Sequence, residues 1–383
     1  MDAPYASERE RLDRLFDPQV DVTRLASGRH QFTLRIEDRV ASELTVLEHD
    51  QLFGRAKLRM AGVASVHTAP AFRKRGCARR LINHALAWMR CEGYDISLLF
   101  GIEGLYPKFG YAPVLPASSL HLAVRDAERL PEPGLTMAPF EPRHLAAVLR
   151  LYRGEYQGRV GPLRRDARRW TPFRKGLAWH TRAIVELAVD GRGRVRGYWA
   201  RNDAPRDVTA LEVACADQNA LHAVLRSAAR CAVSQRLEQL RFMLPTDHPL
   251  AQLVRVLGGV QRIEHRSDGH AMARLIHVGS TLRALAPCLG PHVDRAGQMT
   301  LATNLDTAVL SFKPGEVTVH EDGRRVRPLV RLPQWALAQL AYGQADVSTL
   351  AGLGWVRGPG RGLRDLAMIF PPTPSHFPAV DEF

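Results

Sequence analysis

Apolar residues recur along the chain in two rhythms, and their order predicts a mixed α/β protein. Positions 31–36 and 40–47 alternate apolar and polar around a turn at 37–39, as a half-buried hairpin does. The run 60–66 is small and β-branched, like a buried strand, and it is stopped at Pro70, which has no N–H to give a ladder. From Ala78 onward, Leu81, Ile82, Ala85, Leu86 and Met89 fall on one helical face, and Gly93 ends that helix before a short apolar strand at 96–100. Residues 6–17 also carry helical spacing.

A second cycle opens at Leu135. Residues 135–152 read as strand, turn and helix, with Pro142 just inside the helix start. A hairpin follows at 183–190 and 195–201, then a strand at 210–214 and a helix at 220–233. The repeated order of elements suggests a diverged internal duplication. Beyond Leu285 the pattern changes to alternating strands broken by Pro314-Gly315 and Asp322-Gly323 turns. Pro333 then opens a helix at 334–341, a glycine-rich turn runs from Arg357 to Gly362, an apolar helix reaches Phe370, and a proline-rich extended tail closes the chain.

With 383 residues the chain exceeds what one core usually organises, and the pattern divides it at 1–135, 136–283 and 284–383. No run of about 18 apolar residues is present to span a membrane, and the start has early acidic residues in place of a signal-peptide core. A cytoplasmic protein without membrane partners is expected. The five cysteines are scattered without a C-x-x-C pair, and the fifteen histidines include no H-E-x-x-H, so neither a disulfide framework nor a metal site is expected. The formal charge of +14 favours a polyanion, either a phosphorylated cofactor or nucleic acid. Nucleic acid is set aside, because aromatic residues do not interleave with the basic ones and no recognised binding module is present.

The chemistry concentrates between the strand at 60–66 and the helix after it. Arg73, Lys74, Arg75 and Arg79 surround Gly76 and Ala78 at that helix start. Unpaired N–H groups and the positive end of the macrodipole favour a pyrophosphate there, glycine permits close backbone approach, and the cations supply partners for its oxygens. Neither a P-loop nor a G-x-G-x-x-G fingerprint explains the segment. Cys77 within it reads as a small apolar filler.

Arg73, Gly76 and Ala78 meet the pattern [RQ]-x-x-G-x-[GA], and Tyr106, Gly110 and Tyr111 meet Y-x-x-x-G-[FY] after the intervening helix and strand. On these residues the chain resembles the GNAT superfamily of acetyltransferases, and in its element order the enhanced-intracellular-survival type within it. That resemblance implies tandem GNAT domains followed by a sterol-carrier-protein-like α+β domain. It implies acetyl-CoA as co-substrate, an amine-containing small molecule as acceptor, and a homo-oligomer, a hexamer in relatives. The second domain lacks the loop, reading Glu212 to Asn219 without arginine or glycine, and is expected to be degenerate.

Carried over by motif, Val66, His67 and Thr68 lie where backbone groups hold the pantetheine arm. Arg73, Lys74, Arg75, Gly76, Cys77, Ala78 and Arg79 lie around the pyrophosphate, and Gly101 and Ile102 on the strand facing the cofactor. Tyr106 is implied as the general acid, a role that suits a hydroxyl with an ordinary pKa near 10. The resemblance also implies a general base in the carboxylate of Phe383, with Glu103 or His67 as alternatives, and Asp381 and Glu382 are expected to face a polycationic acceptor. The competing reading is a non-catalytic small-molecule or lipid-binding protein on a vestigial GNAT scaffold.

Overall fold

In the computed structural model, which describes residues 16–102, 104–178, 180–266, 270–321 and 324–383, the chain opens with β1 (Val20–Leu25), β2 (Arg29–Ile36) and β3 (Arg39–Phe53), an antiparallel meander. Glu37 and Asp38 take φ of 51° and 60°, the left-handed backbone that a tight hairpin turn demands, and so join β2 to β3. β4 (Ala56–Thr68) extends the meander, and α1 (Cys77–Cys91) crosses back to β5 (Ile96–Phe100), which runs parallel to β4. The predicted hairpin, helix and short strand are therefore present, with β3 and β4 longer than the alternation alone indicates. The helix predicted over 6–17 lies mostly outside the described residues. Phe16 and Asp17, which are described, are not helical.

α1 covers one face of this meander. Leu81, Ile82, Ala85, Leu86 and Met89 are buried, and the Trp88 ring meets Phe32 edge-on at 5.2 Å. Asp17 accepts from Arg80 at 2.6 Å and its own N–H donates to His84 Nδ1, so the underside of the helix is fastened to the start of the meander. β6 (Ala112–Pro113) ends the contiguous part of this unit at Leu115.

The chain then forms a second unit from residues 116–265 and 376–382. Its elements are β7 (Ala117–Ala123), α2 (Val124–Glu128), β8 (Thr136–Pro139), α3 (Leu145–Tyr156), β9 (Val160–Leu163), β10 (Ala183–Val189), β11 (Val195–Asn202), β12 (Thr209–Cys215), α4 (Gln218–Ser234), β13 (Gln239–Phe242), α5 (Pro249–Leu257) and β14 (Val260–Glu264). The sheet order is β14-β7-β13-β12-β11-β10-β8, with only β12 and β13 parallel. Trp199 joins the apolar cluster under α4, while its neighbours Tyr198 and Ala200 join the cluster under α3, so strand alternation puts the two helices on opposite faces.

The first unit resumes with β15 (Ala271–Leu275), which lies between β5 and β6 and completes the order β1-β2-β3-β4-β5-β15-β6. α6 (Val278–Leu289) follows, then a four-stranded sheet of β16 (Gly297–Ala302), β17 (Thr307–Lys313), β18 (Glu316–His320) and β19 (Leu329–Arg331). α7 (Gln334–Ala341), α8 (Val347–Gly352) and α9 (Gly360–Ile369) complete it.

These units differ from the divisions expected at 135 and 283. Residues 116–135 belong to the second unit and 266–283 to the first, because β7 is paired within the second sheet and β15 within the first. Residues 284–375 fall in the same unit as the amino-terminal sheet. A strand is assigned by its hydrogen-bond partners, and those are not visible in local periodicity. Among the described residues, no helix is long and apolar enough to cross a membrane.

One buried side chain ties these segments of the first unit together. Gln334, fully buried, accepts from Leu275 N–H at 2.8 Å and donates to the carbonyl of Gly110 at 2.6 Å, so the first residue of α7 joins β15 to the turn that carries Tyr106. Gln334→Ala would strand a buried donor and a buried acceptor. The expected loss is roughly 2–4 kcal/mol, read from urea unfolding at constant m-value.

Candidate functional site

β4 and β5 are hydrogen-bonded only from Met60–Ile96 to Val63–Leu99. β4 runs five residues further, to Thr68, while β5 turns to pair with β15 on its other side as far as Ala271–Phe100. The two parallel strands thus part, and the edge of β4 beyond Val63 is left without a neighbour among the described residues. An unpaired strand edge is a row of donors and acceptors, matched to an extended chain of amides.

A bulge sits where the strands part. Glu43 opposes His67 and Thr45 opposes Ala64, so Leu44 faces both Ser65 and Val66, and Ser65 takes φ of 53°. The extra residue bends the strand and re-aims its backbone. Val66 and Thr68 are half-buried and His67 is exposed. Ser42 Oγ donates to the His67 carbonyl at 2.7 Å and lies 3.0 Å from Thr68 Oγ1, which anchors the strand end on its β3 side.

The loop after β4 leads to the start of α1. Gly76 is its N-cap, with φ of 80°, and a Cβ built there would meet nothing within 4 Å. Glycine is therefore required by backbone conformation and by the open space in front of the helix, which a side chain would fill. No side chain caps α1 and its first turn holds no acid, so the orphan N–H groups and the positive end of the dipole face outward. Arg73, Lys74, Arg75 and Arg79 are exposed around this end, and among the described residues none pairs with a carboxylate. Arg73 Nε donates to the Thr68 carbonyl at 3.2 Å, tying the loop back to the strand. Cys77 is buried, with its side chain in the core as expected of a filler, so only its backbone is presented. Ala78 leaves the first turn uncluttered.

Past β5, Gly101 is buried and Ile102 exposed. A Cβ on Gly101 would come within 2.9 Å of both Tyr106 Cδ2 and Met272 Sδ, so the Tyr106 ring rests directly on glycine backbone. Tyr106 opens a single 3-10 turn closed by Gly110, which takes φ of 77°. Burial pushes its hydroxyl pKa upward, so it is held protonated at neutral pH. Among the described residues that hydroxyl has no hydrogen-bond partner. Tyr111 differs: Ser97 Oγ lies 2.7 Å from its hydroxyl, and burial raises its pKa to about 12, which makes it a structural tyrosine.

Phe383 packs on the sheet face opposite α1. Its ring stacks on His49 of β3 at 5.5 Å and meets Phe100 edge-on at 5.3 Å. A Cβ on Gly62 would lie 2.6 Å from Phe383 Cζ, so glycine makes the notch that seats the ring. His49 escaped the sequence reading, since a histidine within a strand gives no periodic signal. Its Nε2 is shielded and lacks a hydrogen-bond partner, and burial outweighs the raising effect of Asp50 and Glu48 to lower its pKa to about 4.

Glu103 lies outside the described residues. His67, the other alternative base, is exposed on β4. The expectation that Asp381 faces an acceptor is corrected: in the second unit Asp381 accepts from Arg165 and Trp170 and is buried, so its charge is already satisfied. Glu382 lies 3.4 Å from Lys175 Nζ. Among the described residues no group of three or more His, Cys, Asp or Glu is arranged to hold a metal ion.

Residues 11–114 match the family described as acetyltransferase (GNAT) domain. A probable N-acyltransferase from Enterococcus faecalis V583 is similar in structure, with a TM-score of 0.77 and 15% identity, covering 94% of this chain and 90% of that one. A GCN5-related N-acetyltransferase from Anabaena variabilis ATCC 29413 has a TM-score of 0.75 and 20% identity, covering 92% and 89%. Eis1 from Mycobacterium abscessus has a TM-score of 0.66 and 16% identity, covering 98% of each chain. These likenesses establish the fold, mixed α/β sheets of the acyltransferase type. No curated protein sequence matches the chain.

The shielded imidazole of His49 makes stability depend on pH. In the unfolded chain histidine binds its proton near pH 6.5, and in the folded one only near 4, so the unfolded state gains protons first as pH falls. The contribution is intact above 6.5 and is lost toward 4. Between those values the wild type is expected to lose on the order of 3 kcal/mol more than His49→Gln, measured by denaturant unfolding at a series of pH values.

Proposed function

We propose that the protein is an acetyl-CoA-dependent N-acetyltransferase that acts on an amine. The observation that carries this reading is the junction of two unsatisfied backbone surfaces: the edge of β4 beyond Val63 and the uncapped, cation-ringed start of α1. One suits an extended amide-bearing arm, the other a pyrophosphate, and seven residues lie between Thr68 and Gly76. The donor set fits acetyl-CoA. Val66 and Thr68 would hold the pantetheine arm through backbone groups, with His67 beside them. Arg73, Lys74, Arg75 and Arg79 would meet the phosphates together with the N–H groups after Gly76.

Bound there, acetyl-CoA supplies an activated thioester. Tyr106 is held protonated by burial, so its hydroxyl is suited to delivering a proton to a departing thiolate. Backbone donors at the bulge around Val66 are suited to polarising a carbonyl as charge develops on its oxygen. The acceptor would approach from the face that carries Phe383, His49 and Phe100, an apolar wall that excludes water from a neutral amine. Direct transfer needs no enzyme-bound intermediate, and the rate gain comes from holding amine and thioester together.

The second unit repeats the topology but not the chemistry. Its equivalent helix, α4, is capped by Asp217, whose side chain accepts from Ala220 N–H and pairs with Arg196. A carboxylate stands where a phosphate would have to sit. This supports the reading that the second unit is a degenerate copy and that each chain takes one acetyl-CoA.

The thermal midpoint measured with and without acetyl-CoA tests the reading. At about 100 times its dissociation constant the cofactor adds roughly 2.7 kcal/mol to the folded state, and that rise is expected to vanish in the double variant Arg75→Ala/Gly76→Asp. No rise in the wild type at millimolar acetyl-CoA would overturn it. Tyr106→Phe is expected to keep the thermal rise while lowering kcat about 100-fold, followed as free thiol released in the presence of primary amines.

A further inference from the structure

The turn that follows α8 carries large apolar side chains in the open. α8 ends at Gly352, Gly354 takes φ of 73°, and Trp355 N–H donates back to the Leu350 carbonyl at 2.9 Å, so the chain reverses sharply past the helix end. Leu353 on this turn is 56% exposed and Trp355 45%. The Trp355 ring meets half-buried Trp335 of α7 edge-on at 5.0 Å, so the two indoles form a single apolar step. Isolated exposed apolar residues are ordinary, whereas three that stand together mark a contact surface.

Arginines border this step. Val356 is buried, so Trp355 and Arg357 on either side of it both turn outward. Arg331 and Arg357 exchange backbone hydrogen bonds at 2.7 and 2.8 Å, an antiparallel bridge that sets their exposed side chains on one face. Arg357 Nε donates to the Gly354 carbonyl at 2.9 Å, which holds its guanidinium against the turn. α9 starts beside them. A Cβ on Gly362 would lie 2.9 Å from Val330 Cγ2, so the helix start rests on β19, and it carries exposed Arg361.

The acids of this region are already engaged. Asp346 caps α8, accepting from Thr349 N–H at 2.8 Å, and buried Asp365 accepts from Arg295 at 2.8 Å. Arg361 Nε stands 3.9 Å from Asp365, and among the described residues neither Arg331 nor Arg357 pairs with a carboxylate. The surface is thus apolar at its tip and cationic at its border, and it calls for a partner with an apolar layer behind an anionic one. A second copy meeting it symmetrically would set arginine against arginine. A nucleic acid would neutralise the arginines and leave Leu353 in water. An anionic bilayer meets both demands: indoles rest at headgroup level, an aliphatic tip reaches the acyl boundary, and guanidiniums stay with the phosphates.

We propose that the turn at 352–357, with Trp335, Arg331 and Arg361 around it, is a docking surface for an anionic lipid bilayer. Peripheral docking needs no spanning segment, so the lack of a long apolar run does not bear on it. The surface is assembled from residues 331–335 and 353–361, which only the fold brings together. It is independent of the acetyl-transfer reading.

Co-sedimentation of the full chain with vesicles tests the surface. The wild type is expected to bind vesicles of equal parts phosphatidylglycerol and phosphatidylcholine at least about tenfold more tightly than phosphatidylcholine alone, and to lose that preference as salt is raised. Leu353→Ser/Trp355→Ser is expected to weaken binding at least about tenfold, and Arg331→Ala/Arg357→Ala roughly 25-fold, at about fivefold for each arginine. Arg192→Ala/Arg194→Ala, on the exposed turn between β10 and β11, removes the same charge and is expected to change binding less than about twofold. Thermal midpoints report whether each variant folds. If loss of Trp355 unsettles its neighbours, Leu353→Ser alone is read, with an expected weakening of about fivefold. Undiminished binding by the apolar variant, or equal losses in the two arginine pairs, would reduce the effect to attraction of a basic chain to any anionic surface and overturn the proposal. A wild type that binds neither vesicle would overturn it as well and leave the patch to an acidic protein surface.

Discussion

The parting of β4 from β5 is the constraint on which the candidate site depends. Two parallel strands that stay paired offer only side chains to a ligand; once they separate, backbone N–H and C=O groups face open space and must find partners there. Here the parting follows from a bulge at Ser65–Val66 on one strand and from pairing of the other with β15. The loop that continues β4 ends at Gly76, where the backbone turns left-handed and an uncapped helix begins. Strand edge and helix start are thus consecutive in the chain, and each presents backbone polarity without a partner among the described residues.

Such a surface is kept open by small residues at close contacts. Gly62 gives room for the Phe383 ring, and Gly101 lets Tyr106 lie against the end of β5. Gly110 would place a Cβ 2.6 Å from Gln334 Nε2, so the turn carrying Tyr106 is positioned by α7, more than two hundred residues away in sequence. Packing decides where the Tyr106 hydroxyl lies, while burial favours its protonated form.

The second unit arranges the corresponding elements differently. A single capping carboxylate, Asp217, satisfies helix donors that Gly76 leaves exposed in the first unit. On β12, Glu212 is buried and paired with Arg165, which also pairs with Asp381. Neither change disturbs the order of strands, because that order is set by the apolar clusters on the two faces of the sheet.

Local pattern alone determined a good deal about this protein. The hairpin around Glu37–Asp38, the helix from Cys77 to Cys91, the strand Ile96–Phe100, the elements of the second cycle and the basic, glycine-bearing loop at Arg73–Arg79 all follow from period, turn residues and charge within short windows. β7, β15 and α6 were not legible, nor was which sheet each strand joins, because strand partners are chosen by long-range hydrogen bonding. His49 beside Phe383 and the burial of Asp381 beneath Arg165 were equally hidden. A residue's neighbours in sequence set its local conformation, but its charge state and its usefulness to a ligand are set by what the fold packs around it, and for these residues those neighbours come from distant parts of the chain.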